Sequence, residues 1–284
     1  MCIRDRAQNN PWHRHARPTL HLSSLKGKYT DQLFRKGISP TVTSPSHANQ
    51  AYWDSDAANY HAEHPDYLSS FYWCPEMLHE DQAHLLGDVS ASSVLEIGCG
   101  SAPCTQWLQS RAHFATGFDI SRGMLNHAAP GLPLAQADAL SLPYATGSFD
   151  VAFSAFGAFP FLANLDLALS EVSRVLKPGG RFVLSANHPM RWIFPDDPTN
   201  LTADISYFDR AYLEQDRDGN LTYAEFHRTI ADWFQALQGE GPFLIEDIIE
   251  PEWPRDLTTT WGQWSPERGE IFPGTIIFVC RNCR

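Results

Sequence analysis

The chain has 284 residues, 43% of them hydrophobic, with 21 Lys and Arg against 33 Asp and Glu. That length and apolar content suffice for a core built around a twisted sheet, and no run of eighteen apolar residues is present to form a membrane span. The net charge of −12 speaks against nucleic acid as a partner, because phosphate backbones are bound largely through Lys and Arg, so neither nucleic acid nor a membrane is expected.

Residues 1–50 hold eight Lys or Arg and two Asp or Glu, a charge of +6 that leaves −18 for the remainder. Pro, Ser, His and Arg mix there without apolar periodicity, so residues 1–48 read as a poorly structured basic extension and residues 49–284 as one folded domain. The opening Met1-Cys2-Ile3-Arg4-Asp5-Arg6 has the character of adaptor-derived translation, which would make the extension non-native. Residues 49–62 and 75–86 read as helices leading into a sheet. Val94-Leu95-Glu96-Ile97 suits a buried parallel strand. In the following Gly98-Cys99-Gly100-Ser101-Ala102-Pro103, the glycines permit backbone angles and a ligand approach that a Cβ would hinder, and Pro103 fits a helix's first turn. A strand, a glycine turn and a helix in this order cradle nucleotide cofactors in more than one fold.

Ala115-Thr116-Gly117-Phe118-Asp119-Ile120-Ser121 reads as a second strand ending in an acid, and Ala137-Asp138-Ala139 as a turn ahead of a strand at Ser148-Phe149-Asp150-Val151-Ala152-Phe153. Leu165, Leu169, Val172 and Leu176 recur on one helical face, and Pro178-Gly179-Gly180 stops that helix before a strand at Phe182-Val183-Leu184. Residues 187–223, rich in Pro, Asp and aromatics, read as an insertion covering the substrate side. Residues 225–238 follow as a helix, and 243–248 and 274–279 as the last strands. The six cysteines are scattered and no secretory signal is seen, so a reducing, cytoplasmic location is expected. Cys280-x-x-Cys283 has no second pair to complete a tetrahedral site, so no metal is expected.

The segments between residues 92 and 186, in this order, resemble the class I S-adenosylmethionine-dependent methyltransferases of small-molecule type. A dinucleotide dehydrogenase would put glycine or alanine where Pro103 stands, and has no need of the Asp138 and Phe149-Asp150 segments. The resemblance implies an α/β fold: a three-layer αβα Rossmann-like sandwich with a seven-stranded, mostly parallel sheet in the order 3-2-1-4-5-7-6, strand 7 antiparallel. It implies S-adenosyl-L-methionine as cofactor, bound by Glu96, Gly98, Cys99, Gly100, Asp119, Ile120, Asp138, Ala139, Ser154 and Phe156. Asp119 would accept from the ribose hydroxyls and Asp138 from the adenine amino group, with the Ala139 N–H meeting a ring nitrogen. A capping or turn role is the alternative for either aspartate. Glu96 either reaches the cofactor's amino group through water or orients the loop. Ala102 stands where the family usually has a third glycine, which is acceptable while its φ stays negative.

The implied reaction is direct displacement of a sulfonium methyl group by an O, N, C or S nucleophile of a small-molecule acceptor, with positioning as the main contribution. A general base is needed only for an acceptor that arrives protonated. His188, after the fifth strand, is the named catalytic candidate, with His227, Tyr60, His61 and His64 behind it. Tyr52, Trp53 and Tyr60 are candidates for a lid over the substrate, because the leading helix of this family often folds over the cofactor. The nine tryptophans supply material for an aromatic pocket. Two other functions share these motifs: cofactor binding without turnover, and methylation of protein, for which an acidic surface would favour basic targets. Ser154-Ala155-Phe156-Gly157 is not the Asn/Asp-Pro-Pro-aromatic loop of enzymes that methylate base amino groups.

Overall fold

The computed structural model describes residues 44–284; residues 1–43, with most of the basic extension, lie outside the described residues. Helix α1 (Pro45–Glu63) starts four residues before the sequence pattern suggests. Its start is set locally: the Ser44 hydroxyl accepts from the His47 N–H at 3.3 Å, and Pro45 occupies the first turn, where no N–H is needed.

The helix expected over 75–86 is not formed. Residues 72–79 double back instead, with Tyr72 and His79 bridged, the Trp73 N–H donating to the Leu78 carbonyl at 2.9 Å, and Met77 at φ +58°. Only α2 (Glu80–Ala83) is helical, and His84 ends it in the left-handed region. The buried Glu80 carboxylate explains the short length. It accepts from the Trp73 indole at 2.8 Å and from the Leu85 and Leu86 N–H groups at 3.0 and 2.8 Å, taking over bonds that a longer helix would have made.

The centre is a seven-stranded sheet in the order β3-β2-β1-β4-β5-β9-β8. Its strands are β1 (Ser93–Ile97), β2 (Phe114–Asp119), β3 (Leu134–Gln136), β4 (Phe149–Ser154), β5 (Leu176–Asn187), β8 (Phe243–Ile249) and β9 (Thr275–Asn282). All pair in parallel except β9, which runs antiparallel to both β5 and β8. With a hairpin of β6 (Ala211–Gln215) and β7 (Leu221–Phe226) inserted after β5, β8 and β9 are the sixth and seventh strands of the sheet, and the expected order holds.

Strand alternation divides the core into two layers. In β9, Ile276, Phe278 and Cys280 face one layer and Ile277 and Val279 the other; in β1, Leu95 and Ile97 oppose Val94. Helix α5 (Leu165–Val175) covers the first layer with Leu165, Leu169, Val172 and Val175. Leu176 is buried too, but as the first residue of β5. The second layer is filled by Phe71, Trp73, Leu108 and Phe153, with Phe71 stacked on Phe153 at 5.0 Å.

The helix expected over 225–238 begins five residues late, and its first two positions close β7. Leu221, Ala224 and Phe226 are buried on β7, and a capping box between Thr229 and Asp232 starts α6 (Ile230–Phe234), which runs on into a wider turn at Gln235–Gly239. Two side chains hold α1 across the sheet's upper edge. Asn49, buried, donates to the Ala224 and Phe161 carbonyls at 2.9 and 3.2 Å and accepts from the Ala224 N–H at 2.9 Å. Asp54 accepts from the Ser121 hydroxyl and the Gly123 N–H, both at 2.7 Å, at the head of α4 (Arg122–Leu125). Position 123 requires glycine, since a Cβ there would lie 2.6 Å from the Asp54 carbonyl oxygen. Among the described residues, no helix is long and apolar enough to cross a membrane.

Replacing Asn49 with Ala strands the N–H and C=O of Ala224 without partners in a buried setting. A loss of about 2–3 kcal/mol is expected, read from urea denaturation, with faster amide exchange along α1 and β7.

Candidate functional site

The loop from β1 to α3 (Pro103–Leu108) forms one wall of the site, and its shape is set by left-handed residues. Gly98, Gly100 and Ala102 have φ of +67°, +55° and +61°. Gly98 has no room for a side chain, because a Cβ would sit 2.7 Å from the Ala158 Cβ. Ala102 breaks the condition set for it above: its φ is positive, at a conformational cost on the order of 1 kcal/mol that glycine would not incur. As the residue preceding α3 it also has no side-chain oxygen to cap the helix.

Glu96 supplies that cap from β1. Its Oε2 accepts from the Thr105 N–H at 2.8 Å and the Thr105 hydroxyl at 2.5 Å. Of its two open roles, these bonds belong to loop orientation. Burial pushes the Glu96 carboxyl up to about 7, against the pull of the Thr105 bonds.

Asp119 closes the floor. Its Oδ2 accepts from the Gly100 N–H and its Oδ1 from the Ser121 N–H, each at 2.8 Å, which joins the loops after β1 and β2. Each oxygen keeps a second lone pair. Burial raises its pKa while these N–H groups oppose the rise. Asp138 makes a turn, its Oδ1 accepting from the Leu140 N–H at 2.9 Å. Both aspartates, with Glu96, Gly98, Cys99, Gly100, Ile120, Ala139 and Phe156, line one cavity of about 850 Å³.

Tyr52, Trp53 and Tyr60 of α1 line the same cavity. Their rings form a file: Tyr60 meets Trp53 at 5.7 Å, Trp53 meets Tyr52 at 5.3 Å, and Tyr52 meets Tyr223 of β7 at 4.8 Å. Burial, with the Cys104 and Asp119 groups nearby, pushes the Tyr60 phenol far up.

Five residues named from the sequence are not in the cavity wall. Ser154 is fully buried behind it, its hydroxyl donating to the Ile97 carbonyl at 2.9 Å. His188 is buried with both ring nitrogens engaged: Nδ1 accepts from the Met190 N–H at 3.1 Å, so Nε2 carries the proton toward Glu250 Oε1 at 2.9 Å. It caps the turn Pro189–Ile193. His227 faces the Tyr207 carbonyl at 2.9 Å, with burial lowering its pKa to about 4, and His61 meets the Ala57 carbonyl at 2.6 Å. His64 packs on Trp261 at 4.1 Å. None of the four histidines reaches the cavity wall, whereas Tyr60 does. Among the described residues no group of three or more metal-ligating side chains comes together.

The insertion contributes lining that sequence reasoning did not single out, Arg191 and Tyr223, with Glu225 just beyond it, and Trp261 and Trp264 of the later loop add rings to the same cavity. Arg191 donates to Gln263 at 2.6 Å and to Glu225 at 2.7 Å, with its guanidinium 4.7 Å from the Trp264 ring centre. A lone Arg in an aromatic stretch, Met190-Arg191-Trp192, is the signal that was available.

The sequence profile of a methyltransferase domain matches residues 95–184. Malonyl-[acyl-carrier protein] O-methyltransferase of Erwinia pyrifoliae is 37% identical over 102 residues, 34% of this chain and 37% of that protein. Demethylmenaquinone methyltransferase of Streptomyces avermitilis is 36% identical over 105 residues, 35% of this chain and 44% of that protein. The chain thus spans about two fifths of the length of these curated relatives. Among solved structures, an S-adenosylmethionine dependent methyltransferase from Mesorhizobium loti superposes with a TM-score of 0.56 at 24% identity, over 70% of this chain and 95% of that one. The [4+2]-cyclase SpnF superposes with a TM-score of 0.54 at 17% identity, over 85% of this chain and 97% of that one. At these identities the structural likeness shows the fold. Profile and fold agree over the same stretch: residues 95–184 match the methyltransferase-domain profile and lie within the fold shared with S-adenosylmethionine-dependent methyltransferases.

Proposed function

We propose that the chain is an enzyme that transfers a methyl group from S-adenosyl-L-methionine to a small-molecule acceptor held beneath α1 and the β6–β7 hairpin. The observation that carries this reading is the Asp119 carboxylate, fixed by N–H groups of both nucleotide-side loops and lining the cavity with lone pairs to spare. Those acceptor lone pairs fit the hydroxyls of a ribose. Asp138 and Ala139 then meet the adenine, Gly98, Cys99, Gly100, Ile120 and Phe156 enclose the rest, and Glu96 and Ser154 act by holding the loop and β1 in place.

The cofactor, when bound, supplies a methyl group already activated on a sulfonium. The chain's residues have to hold an acceptor in line with it and keep water away, which lowers the barrier by several kcal/mol without a covalent enzyme step. Aromatic rings of α1 suit a sulfonium's charge, a contact worth about 0.5–2 kcal/mol. His188 cannot serve as the base while both of its nitrogens are engaged. The relative named for demethylmenaquinone supports a small acceptor, as does the roofing of the cavity by α1.

A second reading, cofactor binding without methyl transfer, is favoured by the fold likeness to a protein named as a cyclase. Incubating the protein with methyl-labelled cofactor and a cell extract separates the readings. Labelled small products are expected; labelled polypeptide would indicate a protein target, and no label transfer would indicate binding without turnover.

Asp119→Ala should weaken cofactor binding by about ten- to a hundredfold in calorimetry, since a hydrogen bond to a charged acceptor contributes about 1.5–3 kcal/mol. Unchanged affinity would remove Asp119 from the site. Glu96 makes a separate prediction for stability. Its folded pKa, about 7, lies above the ordinary 4.5, so protonated Glu96 favours the fold. This contribution is complete below pH 4.5 and is lost as pH rises through 7. The stability of the wild type relative to Glu96→Gln should therefore fall by about 3 kcal/mol from pH 4.5 to pH 8 in urea titrations. A flat difference would mean that Glu96 is already ionised in the folded protein.

A further inference from the structure

The acceptor end of the cavity has a one-sided set of charges. Asp196, Asp209, Glu214 and Glu225 line it, and among the described lining residues Arg191 is the single cation. Arg191 is already paired with an acid: it is 7% exposed and its guanidinium donates to Gln263 and Glu225, which fixes the group in the wall, while its buried Nε has no partner among the described residues. Asp196, Asp209 and Glu214 are exposed at the rim, where they gather cations by long-range attraction.

Glu225 lies deeper and is built differently. Its Oε1 accepts from both Asn187 at 2.8 Å and Arg191 at 2.7 Å, which holds the carboxylate in place and leaves Oε2 without a hydrogen-bond partner among the described residues. Asn187 is the last residue of β5, at the carboxyl end of the sheet where ligands of open α/β folds bind. Tyr223 precedes Glu225 by two residues on β7 and Tyr212 is its partner across the hairpin, with the Tyr223 ring 4.8 Å from Tyr52 and 6.2 Å from Tyr212. The charge of Glu225 is felt within this group: after burial, it is the largest cause raising the Tyr223 phenol. A fixed carboxylate oxygen among aromatic faces is a seat for an ammonium on an apolar body.

Building on the methyl-transfer reading, we infer that the acceptor is a small apolar or aromatic amine that enters as its ammonium and seats on Glu225 Oε2. There it gives a proton to Oε2. The freed nitrogen lone pair forms a bond to the methyl carbon as the carbon–sulfur bond breaks, and the bonding pair stays on sulfur. The product leaves as the methylated ammonium, and the proton passes from Glu225 to solvent.

The test uses the full chain loaded with S-adenosylhomocysteine and three matched series, read by calorimetry. These are phenethylamine, 2-phenylethanol and phenylacetate; tryptamine, tryptophol and indole-3-acetate; and octylamine, octanol and octanoate. In at least one series the amine should bind tenfold or more tightly than both partners. Glu225→Gln, checked for an intact thermal transition, should bring that amine to within about threefold of its alcohol. The inference is overturned if no amine binds the loaded protein, if the alcohol or carboxylate equals the amine in every series, or if a folded Glu225→Gln keeps the preference. Failure of S-adenosylhomocysteine itself to bind would instead overturn the methyl-transfer reading, and this inference with it.

Discussion

The bond pair at Asp119 is the constraint on which the rest of the site depends. One carboxylate accepts from Gly100, in the turn after β1, and from Ser121, in the turn after β2. These turns sit on neighbouring parallel strands, so a single side chain fixes the spacing of two loops that would otherwise move separately. The geometry is reinforced from below, where Glu96 reaches from β1 to cap α3 and Ser154 holds the end of β1 to β4. The left-handed strain at Ala102 is tolerated because these bonds over-determine the loop around it.

Much of this was legible in the chain itself, for reasons that can be stated residue by residue. The central strands announce themselves because both faces are buried, so Val94, Leu95 and Ile97 are all apolar, and because Gly98 has a neighbour that excludes a Cβ. Helix α5 was readable because its stripe of Leu165, Leu169 and Val172 faces a core on one side only. What was not legible depends on partners far away in sequence. Residue 224 pairs with Asn49, so β7 is recognised as a strand only once α1 is in place. Residues 75–86 carry helical residue types, but the Glu80 side chain competes for the N–H groups of Leu85 and Leu86.

The candidate base shows the same limit at the level of chemistry. His188 follows the fifth strand, where a ligand-facing residue is expected, yet Glu250 and the Met190 N–H take both of its nitrogens. The adjacent Asn187 instead holds a carboxylate contributed by β7, the group proposed above to take the proton. Both residues stand at the carboxyl end of the fifth strand, and only the folded partners tell which side chains there are already engaged.

Helix α1 is attached in an unusual way for an element that roofs a chamber. Only Ala48, Asn49 and Ala57 of its nineteen residues are buried, and its attachment rests on the polar clasps at Asn49 and Asp54 and on edge-to-face rings. An element fastened largely by directional clasps opens when those clasps break, and the same clasps return it to one seat. If the chain transfers methyl groups as proposed, the tempo at which spent carrier is exchanged for fresh is governed by how readily those clasps let go, with the sheet beneath undisturbed through each cycle.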